Sequence, residues 1–270
     1  MRTSPTWAAV QMSSQGDLEA NLEAVVASVH RSADRGAGVV LLPENFAFMG
    51  DEAAKREIAE ALDGDGPIVR ALRGAAAARR ITVIGGGLPE RSADPDRPYN
   101  TCAVFGPDGL LARYRKIHLF DVDLPDGTTY RESASTTAGS TPVTMSIDAT
   151  GVGLSICYDL RFPELYRALS LAGVEVIVVP AAFTLQTGKD HWLTLLRARA
   201  IESQSYVVAA AQWGKHPRGR LTFGKTCIID PWGDVVAQAS EGEGVIVSTL
   251  DLGYLQRVRR TLPALTHRRL

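Results

Sequence analysis

Short apolar runs alternate along the chain with stretches in which apolar residues recur every three to four positions. Trp7-Ala8-Ala9-Val10 opens a predicted strand over 7–12, and Val39-Val40-Leu41-Leu42 reads as a second, buried one. Between them Asp17 marks a helix start. Leu18, Leu22, Val25, Val26 and Val29 follow helical spacing until Gly36 and Gly38. The pattern predicts further helices over 52–61, 68–80, 163–172 and 190–203, and a short basic one over 253–260. Strands are predicted over 81–84, 101–105, 110–116, 152–156, 174–179, 206–211, 222–229, 235–239 and 245–250. Asp63 to Pro67, Gly85-Gly86-Gly87, Pro107-Asp108-Gly109 and Asp230 to Asp234 read as turns, and 121–141 as a looser polar stretch. Runs such as Val176-Ile177-Val178-Val179 imply strands covered on both faces. No long linker or repeat divides the pattern, so one α/β domain over 1–270 is expected.

Composition narrows the classes. Twenty-nine Lys plus Arg against 30 Asp plus Glu leave a formal charge of -1, which argues against bulk attraction to nucleic acid or an anionic membrane. No apolar run approaches the roughly 20 residues of a membrane span, and the opening apolar stretch is too short for a secretory signal. The three cysteines, Cys102, Cys157 and Cys227, fit neither a disulfide framework nor a CxxC zinc site. A cytoplasmic, reducing location is expected, with no metal or organic cofactor. The basic ending (Arg257, Arg259, Arg260, Arg268 and Arg269) reads as a solvated face rather than a partner site.

Three segments carry candidate chemistry. In Gly153-Leu154-Ser155-Ile156-Cys157-Tyr158-Asp159-Leu160-Arg161 an apolar strand ends at a cysteine and a helix follows. That junction exposes a side chain where α/β active sites lie, and a helix N-terminus favours a thiolate. The Tyr158 N–H is placed to donate to an oxyanion. Cys102 and Cys227, in mid-strand, read as packed residues. Glu44 ends a buried strand in Leu41-Leu42-Pro43-Glu44, and partial burial would raise its pKa toward that of a neutral-pH proton carrier. Read alone, a solvated acid after a strand is the favoured reading. Lys116, in Tyr114-Arg115-Lys116-Ile117-His118, is either an oxyanion partner or a surface lysine. If the strand continues, His118 shares its face and a Cys157–His118 dyad becomes a rival. Arg161 is either a bidentate carboxylate ligand or the ion-pair partner of Asp159 or Glu164.

Together these segments resemble the nitrilase superfamily of carbon–nitrogen hydrolases: a glutamate after an apolar strand, a lysine in an aromatic-basic strand and a cysteine before a short acid-containing turn, in family order. The resemblance implies a four-layer α-β-β-α sandwich, a Glu44–Lys116–Cys157 triad, a supporting second glutamate at Glu132 and assembly as a homodimer or larger homo-oligomer. It also implies cysteine-dependent hydrolysis of a small carboxamide with release of ammonia. The segments around Lys116, His191-Trp192, Leu196 to Glu202 and Gln212 to His216 are most similar to the deaminated-glutathione amidase subgroup. ω-Amidases on 2-oxo acid amides and hydrolases of N-carbamoyl amino acids are the alternatives, with nitrile hydrolysis ranked below them. A non-catalytic relative is a further class that the intact trio argues against. Phe183, Thr187 and His191, from the loop expected at 181–188 and the helix after it, are expected pocket residues, with packing as the other reading of each.

Overall fold

The computed structural model describes residues 4–123 and 127–269. Strand β1 (Thr6–Gln11) leads into α1 (Leu18–Asp34), whose N-terminus is capped by the Asp17 carboxylate accepting from the Ala20 N–H at 3.1 Å. Strand β2 (Val39–Leu41) follows, then α2 (Pro67–Arg79), which starts on a proline and stops where Arg80 turns left-handed at φ 52°. Strands β3 (Thr82–Glu90), β4 (Tyr99–Gly106) and β5 (Gly109–Arg115) complete the first half. The second half begins with a hairpin of β6 (Asp121–Asp123) and β7 (Thr129–Arg131), then β8 (Val143–Ile147), β9 (Thr150–Leu154), α3 (Pro163–Leu171), β10 (Val176–Ala181), α4 (Leu185–Ser203) and β11 (Tyr206–Ala211). The short ribbon β12 (Trp213–Lys215) and β13 (Leu221–Phe223) precedes β14 (Cys227–Ile229), β15 (Val235–Gln238), β16 (Gly244–Thr249) and α5 (Leu252–Thr261).

Among the described residues the strands form two six-stranded sheets, ordered β16-β1-β2-β3-β4-β5 and β15-β14-β11-β10-β9-β8. In each, three central strands run parallel (β1, β2, β3 and β9, β10, β11) and the flanking pairs are antiparallel. The period-two alternation of β1 shows the layering. Ala8 and Val10 join the core with Val25, Val29 and Leu72 of α1 and α2, while Trp7 and Ala9 join the core with second-sheet residues. Strand β1 meets β11 and β3 meets β10 across the middle, and α4 covers the far face of the second sheet. The result is the expected α-β-β-α sandwich, and its doubly covered strands account for the unbroken apolar runs.

Several element boundaries differ from the expectation. Only Glu52–Arg56 of 52–61 is helical, as a 3₁₀ turn. Glu60 instead accepts from the N–H groups of Ile68 and Val69 at 2.8 and 2.9 Å, capping α2, while its backbone pairs beside β3. The expected strand 222–229 breaks at Gly224 and Lys225, both left-handed. Helix α4 starts five residues early because Thr184 caps it. The stretch 121–141 holds the β6–β7 hairpin; residues 124–126 within it lie outside the described residues. Gly85-Gly86-Gly87 is no turn but the interior of β3, in a bulge where Gly86 and Gly87 oppose Cys102 alone.

Candidate active site

Three segments converge at the carboxyl ends of β2, β5 and β9. Glu44 follows β2 and the chain then reverses through Asn45, left-handed at φ 59°. The glycine bulge is what lets the carboxylate in. A Cβ on Gly87 would lie 2.7 Å from both Glu44 Cγ and Asn100 Oδ1, and one on Gly86 would collide with Pro180 of β10. Glu44 Oε1 accepts from Asn100 Nδ2 and from Lys116 Nζ, each at 2.9 Å, and Oε2 accepts from the Ala182 N–H at 3.1 Å. Lys116 is locked through its backbone, its N–H donating to Asn100 O and its carbonyl accepting from Gly139 N–H, both at 2.8 Å. Its ammonium also reaches Glu132 at 2.8 Å. Glu132 in turn accepts from the Phe120 N–H at 2.7 Å and from Asn100 Nδ2 at 3.1 Å.

Cys157 opens a 3₁₀ turn, Cys157–Arg161, with its own backbone left-handed at φ 48°. That conformation is uncommon for a side chain with a Cβ and holds the thiol out of the strand direction. Glu44, Lys116, Glu132 and Cys157 all line one cavity, with Tyr158, Arg161, Phe183 and Thr187. Glu44 and Lys116 are 3% and 2% exposed, so their charges interact with little screening by water.

Burial by itself would raise the Glu44 carboxyl. The Lys116 cation and hydrogen bonds from Cys157 and Lys116 outweigh it and lower the group to about 2. The expectation of a carboxyl raised by partial burial is therefore overturned: Glu44 rests as an anion beside a fixed cation. The expectation of a thiolate is overturned as well. Helix α3 begins only at Pro163, and burial followed by the adjacent Glu44 charge pushes the Cys157 thiol well above its usual range, with Lys116 opposing. Lys116 is pushed up by Glu132 and Glu44 against the effect of burial. The resting assembly is thiol, carboxylate and ammonium.

The Cys157–His118 dyad does not form. Strand β5 ends at Arg115, so period-two reasoning does not extend to His118. Its Nδ1 lies 2.7 Å from Asp159 Oδ1 and its ring stacks on Phe162 at 3.7 Å. Arg161 pairs with neither Asp159 nor Glu164 and has no carboxylate partner among the described residues. Its guanidinium meets His191 Nδ1 at 3.2 Å and faces the rings of Phe183 and Tyr158. Thr187 lies in the first turn of α4 rather than a loop. His191, in the next turn, does not line the cavity but touches Arg161. Phe183 packs on Trp192 at 4.9 Å and presents to the cavity as well. Sequence reading missed Asn100, which joins the two glutamates, and the group Glu52, Lys55 and Arg220 on the cavity wall, where Glu52 pairs with both cations. The glycine run was the available signal for a close approach. Among the described residues no three His, Cys, Asp or Glu side chains cluster as a metal site.

A family model described as carbon–nitrogen hydrolase matches residues 6–260. The chain is 46% identical over 265 residues to a deaminated glutathione amidase of Synechocystis, covering 97% of both chains. It is 37% identical over 263 residues to the chloroplastic omega-amidase of Arabidopsis thaliana, covering 96% of this chain and 71% of that one. Its fold superposes on the crystal structure of the C. elegans NitFhit protein with a TM-score of 0.92 at 39% identity, spanning all of this chain and 66% of that longer one.

Proposed function

This chain belongs to the carbon–nitrogen hydrolase family, and on that premise we propose that it is an amidase in which Cys157 attacks a small-molecule carboxamide. The observation that carries the reading is the 2.9 Å contact between Glu44 Oε1 and Lys116 Nζ on the wall that also holds the thiol. Because Cys157 rests protonated and Glu44 ionised, the thiol proton passes to Glu44 as sulfur bonds to the carbonyl carbon. The developing oxyanion is held by the Lys116 ammonium and the Tyr158 N–H. As Lys116 shifts its attraction to that oxyanion, Glu44 becomes a better proton holder. Glu132 remains as the second counter-ion of the lysine and keeps it charged. Glu44 then protonates the leaving nitrogen, the C–N bond breaks, and the same carboxylate takes a proton from the water that hydrolyses the thioester.

Deaminated glutathione is the substrate best supported, given the identity to an amidase of that name along nearly the whole chain. A metabolite-repair role follows from it. Arg161, without a carboxylate partner among the described residues, would bind a substrate carboxylate; Phe183 and Thr187 would line the acyl chain, and His191 would hold Arg161. The relation to an omega-amidase supports a second reading, action on 2-oxo acid amides such as 2-oxoglutaramate. The leaving nitrogen separates the readings. The γ-amide nitrogen of deaminated glutathione carries a cysteinylglycine fragment and leaves as an amine, whereas 2-oxoglutaramate and N-carbamoyl amino acids release ammonia. Offering all three to the purified protein, beside its Cys157→Ala variant, tests the proposal. Deaminated glutathione is expected to have the highest kcat/KM and the variant to be inactive. A tenfold or greater preference for 2-oxoglutaramate would reverse the ranking, and turnover by the variant would remove the mechanism.

A homo-oligomer in the cytoplasm completes the reading. Exposed apolar side chains such as Leu171, Ile201, Trp232 and Leu262 offer surface for association, and sedimentation velocity would measure it. No helix among the described residues is long and apolar enough to cross a membrane.

A further inference from the structure

Asp159 does not line the cavity, yet it is fully buried and accepts four hydrogen bonds. Oδ2 takes the Tyr114 hydroxyl at 2.7 Å and the Ile156 N–H at 2.9 Å. Oδ1 takes the His118 N–H at 3.1 Å and His118 Nδ1 at 2.7 Å. The pattern of these donors is specific. Tyr114 and His118 flank Lys116 in sequence, two residues to either side, and the Tyr114 hydroxyl further accepts from the Ile117 N–H at 3.3 Å. Ile156 and Asp159 itself flank Cys157, and the Asp159 N–H closes that turn on Ile156 O at 3.0 Å. One carboxylate thus ties together both sides of the lysine and both sides of the cysteine. Apart from this tie, the Lys116 backbone is held by Asn100 and Gly139, and its ammonium by Glu44 and Glu132.

We propose that Asp159 is a positioning residue that couples the Lys116 segment to the Cys157 turn, fixing the ammonium relative to the sulfur and to the carbonyl oxygen the sulfur attacks. The inference rests on the triad reading given above. Cys157 occupies a left-handed conformation that its surroundings must hold, and the bond from the Ile156 N–H, immediately before it, holds the turn from within. Burial and the neighbouring Asp159 charge push the Tyr114 phenol well above its usual range, so its hydroxyl stays a donor across the working pH. His118 serves this network through Nδ1 and passes no proton to the sulfur. Its ring, stacked on Phe162, keeps the bond aligned.

The test is Asp159→Asn, assayed for amide turnover and for the pH dependence of Cys157 alkylation by iodoacetamide. Asparagine keeps the shape but replaces one acceptor by a donor facing donors. A displacement of the ammonium by about an ångström is expected to lower kcat about 100-fold, with KM little changed. Because Lys116 opposes the rise of the thiol, its withdrawal moves the alkylation midpoint to higher pH, a readout that loss of fold stability alone would not produce. A folded Asp159→Asn protein with wild-type kcat and an unmoved midpoint overturns the inference. If that variant does not fold, His118 decides. His118→Asn, whose amide can reproduce the Nδ1 donor, should keep kcat near wild type, while His118→Ala should lower it about tenfold. Equal wild-type activity in both overturns the positioning role, and equal inactivation of both assigns His118 a proton-transfer role instead. Turnover by Cys157→Ala would defeat the triad reading; an inactive Cys157→Ala beside a fully active Asp159→Asn would defeat this inference alone.

Discussion

Lys116 Nζ stands 2.9 Å from Glu44 Oε1 with both side chains all but sealed from solvent, and the same ammonium reaches Glu132 at 2.8 Å. Two carboxylates therefore share one cation, Glu44 nearly sealed from water and Glu132 at the partly open cavity wall. Such a group is costly to break from one side, because the partner left behind is a buried unpaired charge.

Lys116→Met removes the cation and leaves Glu44 and Glu132 facing each other. We expect a loss of about 3–5 kcal/mol in stability, read as a lowered urea midpoint, and turnover down by about 100- to 1,000-fold from the missing oxyanion partner. Lys116→Arg should restore part of the stability and little of the activity, since a planar guanidinium cannot occupy a site built around a compact ammonium. Wild-type stability in Lys116→Met would mean that the two carboxylates are held apart or solvated in some other way.

Glu44→Gln separates the two roles that its charge plays. The Glu44 anion raises the Cys157 thiol, so its removal should bring the alkylation midpoint down even as amide turnover is lost for want of a proton acceptor. A more reactive yet inactive cysteine is the expected signature; an unchanged midpoint would show that the two groups do not interact. Acid stability follows the same linkage. Folding lowers the Glu44 carboxyl from 4.5 to about 2, so its contribution is complete above the higher value and is lost as pH falls toward the lower one. Compared with Glu44→Gln, the wild type should lose stability more steeply between these limits, measured by denaturation at a series of pH values.

Glu44 and Cys157 are legible as candidates because each follows a strand whose apolar run marks it as covered on both faces, whereas Lys116 follows β5, a sheet-edge strand with exposed residues, and carries no such local mark. Leu41-Leu42-Pro43-Glu44 and Leu154-Ser155-Ile156-Cys157 carry that signal locally. What the sequence did not disclose depends on pairing between distant strands. Asn100 reaches Glu44 and Glu132 only because β4 pairs with β3 through a bulge, and a register shift leaves no local mark. The charge states were misread for a related reason. Burial is legible in an apolar run, but the cation that reverses its effect on Glu44 comes from 72 positions along the chain. Period two sets His118 on the Lys116 face only if the strand continues; β5 ends at Arg115, and His118 turns to Asp159.

Gly87 tests how much the site depends on backbone approach. It sits at φ +52° in the β3 bulge, and an added Cβ would lie 2.7 Å from Glu44 Cγ and from Asn100 Oδ1. Gly87→Ala thus combines an unfavourable conformation with a collision against Glu44 and the Asn100 amide bonded to it. We expect about 1–3 kcal/mol of destabilisation and a fall in kcat larger than in Gly36→Ala. The latter is a fair control because Gly36 is also left-handed, at φ +84°, but has open space around it. Comparable kcat in the two variants would show that Glu44 tolerates displacement.

Arg161 is the cavity-lining cation whose charge has no carboxylate opposite it among the described residues. Glu52 engages both Lys55 and Arg220, and Arg131 meets Asp123. The Arg161 guanidinium faces the Phe183 and Tyr158 rings and touches His191 Nδ1, contacts that orient a guanidinium without neutralising it. A substrate carboxylate is the natural counter-ion. Arg161→Met, which keeps the apolar stem, should raise KM for an acidic amide roughly 10- to 100-fold, the worth of a charge-assisted hydrogen bond. The kcat should change far less, because the carboxylate is bound equally before and during the reaction. A neutral amide of similar size should be hydrolysed by wild type and variant alike. If the variant loses activity toward both substrates in equal measure, Arg161 supports the Cys157–Arg161 turn on which it stands, and the acidic end of the substrate is recognised elsewhere on the cavity wall.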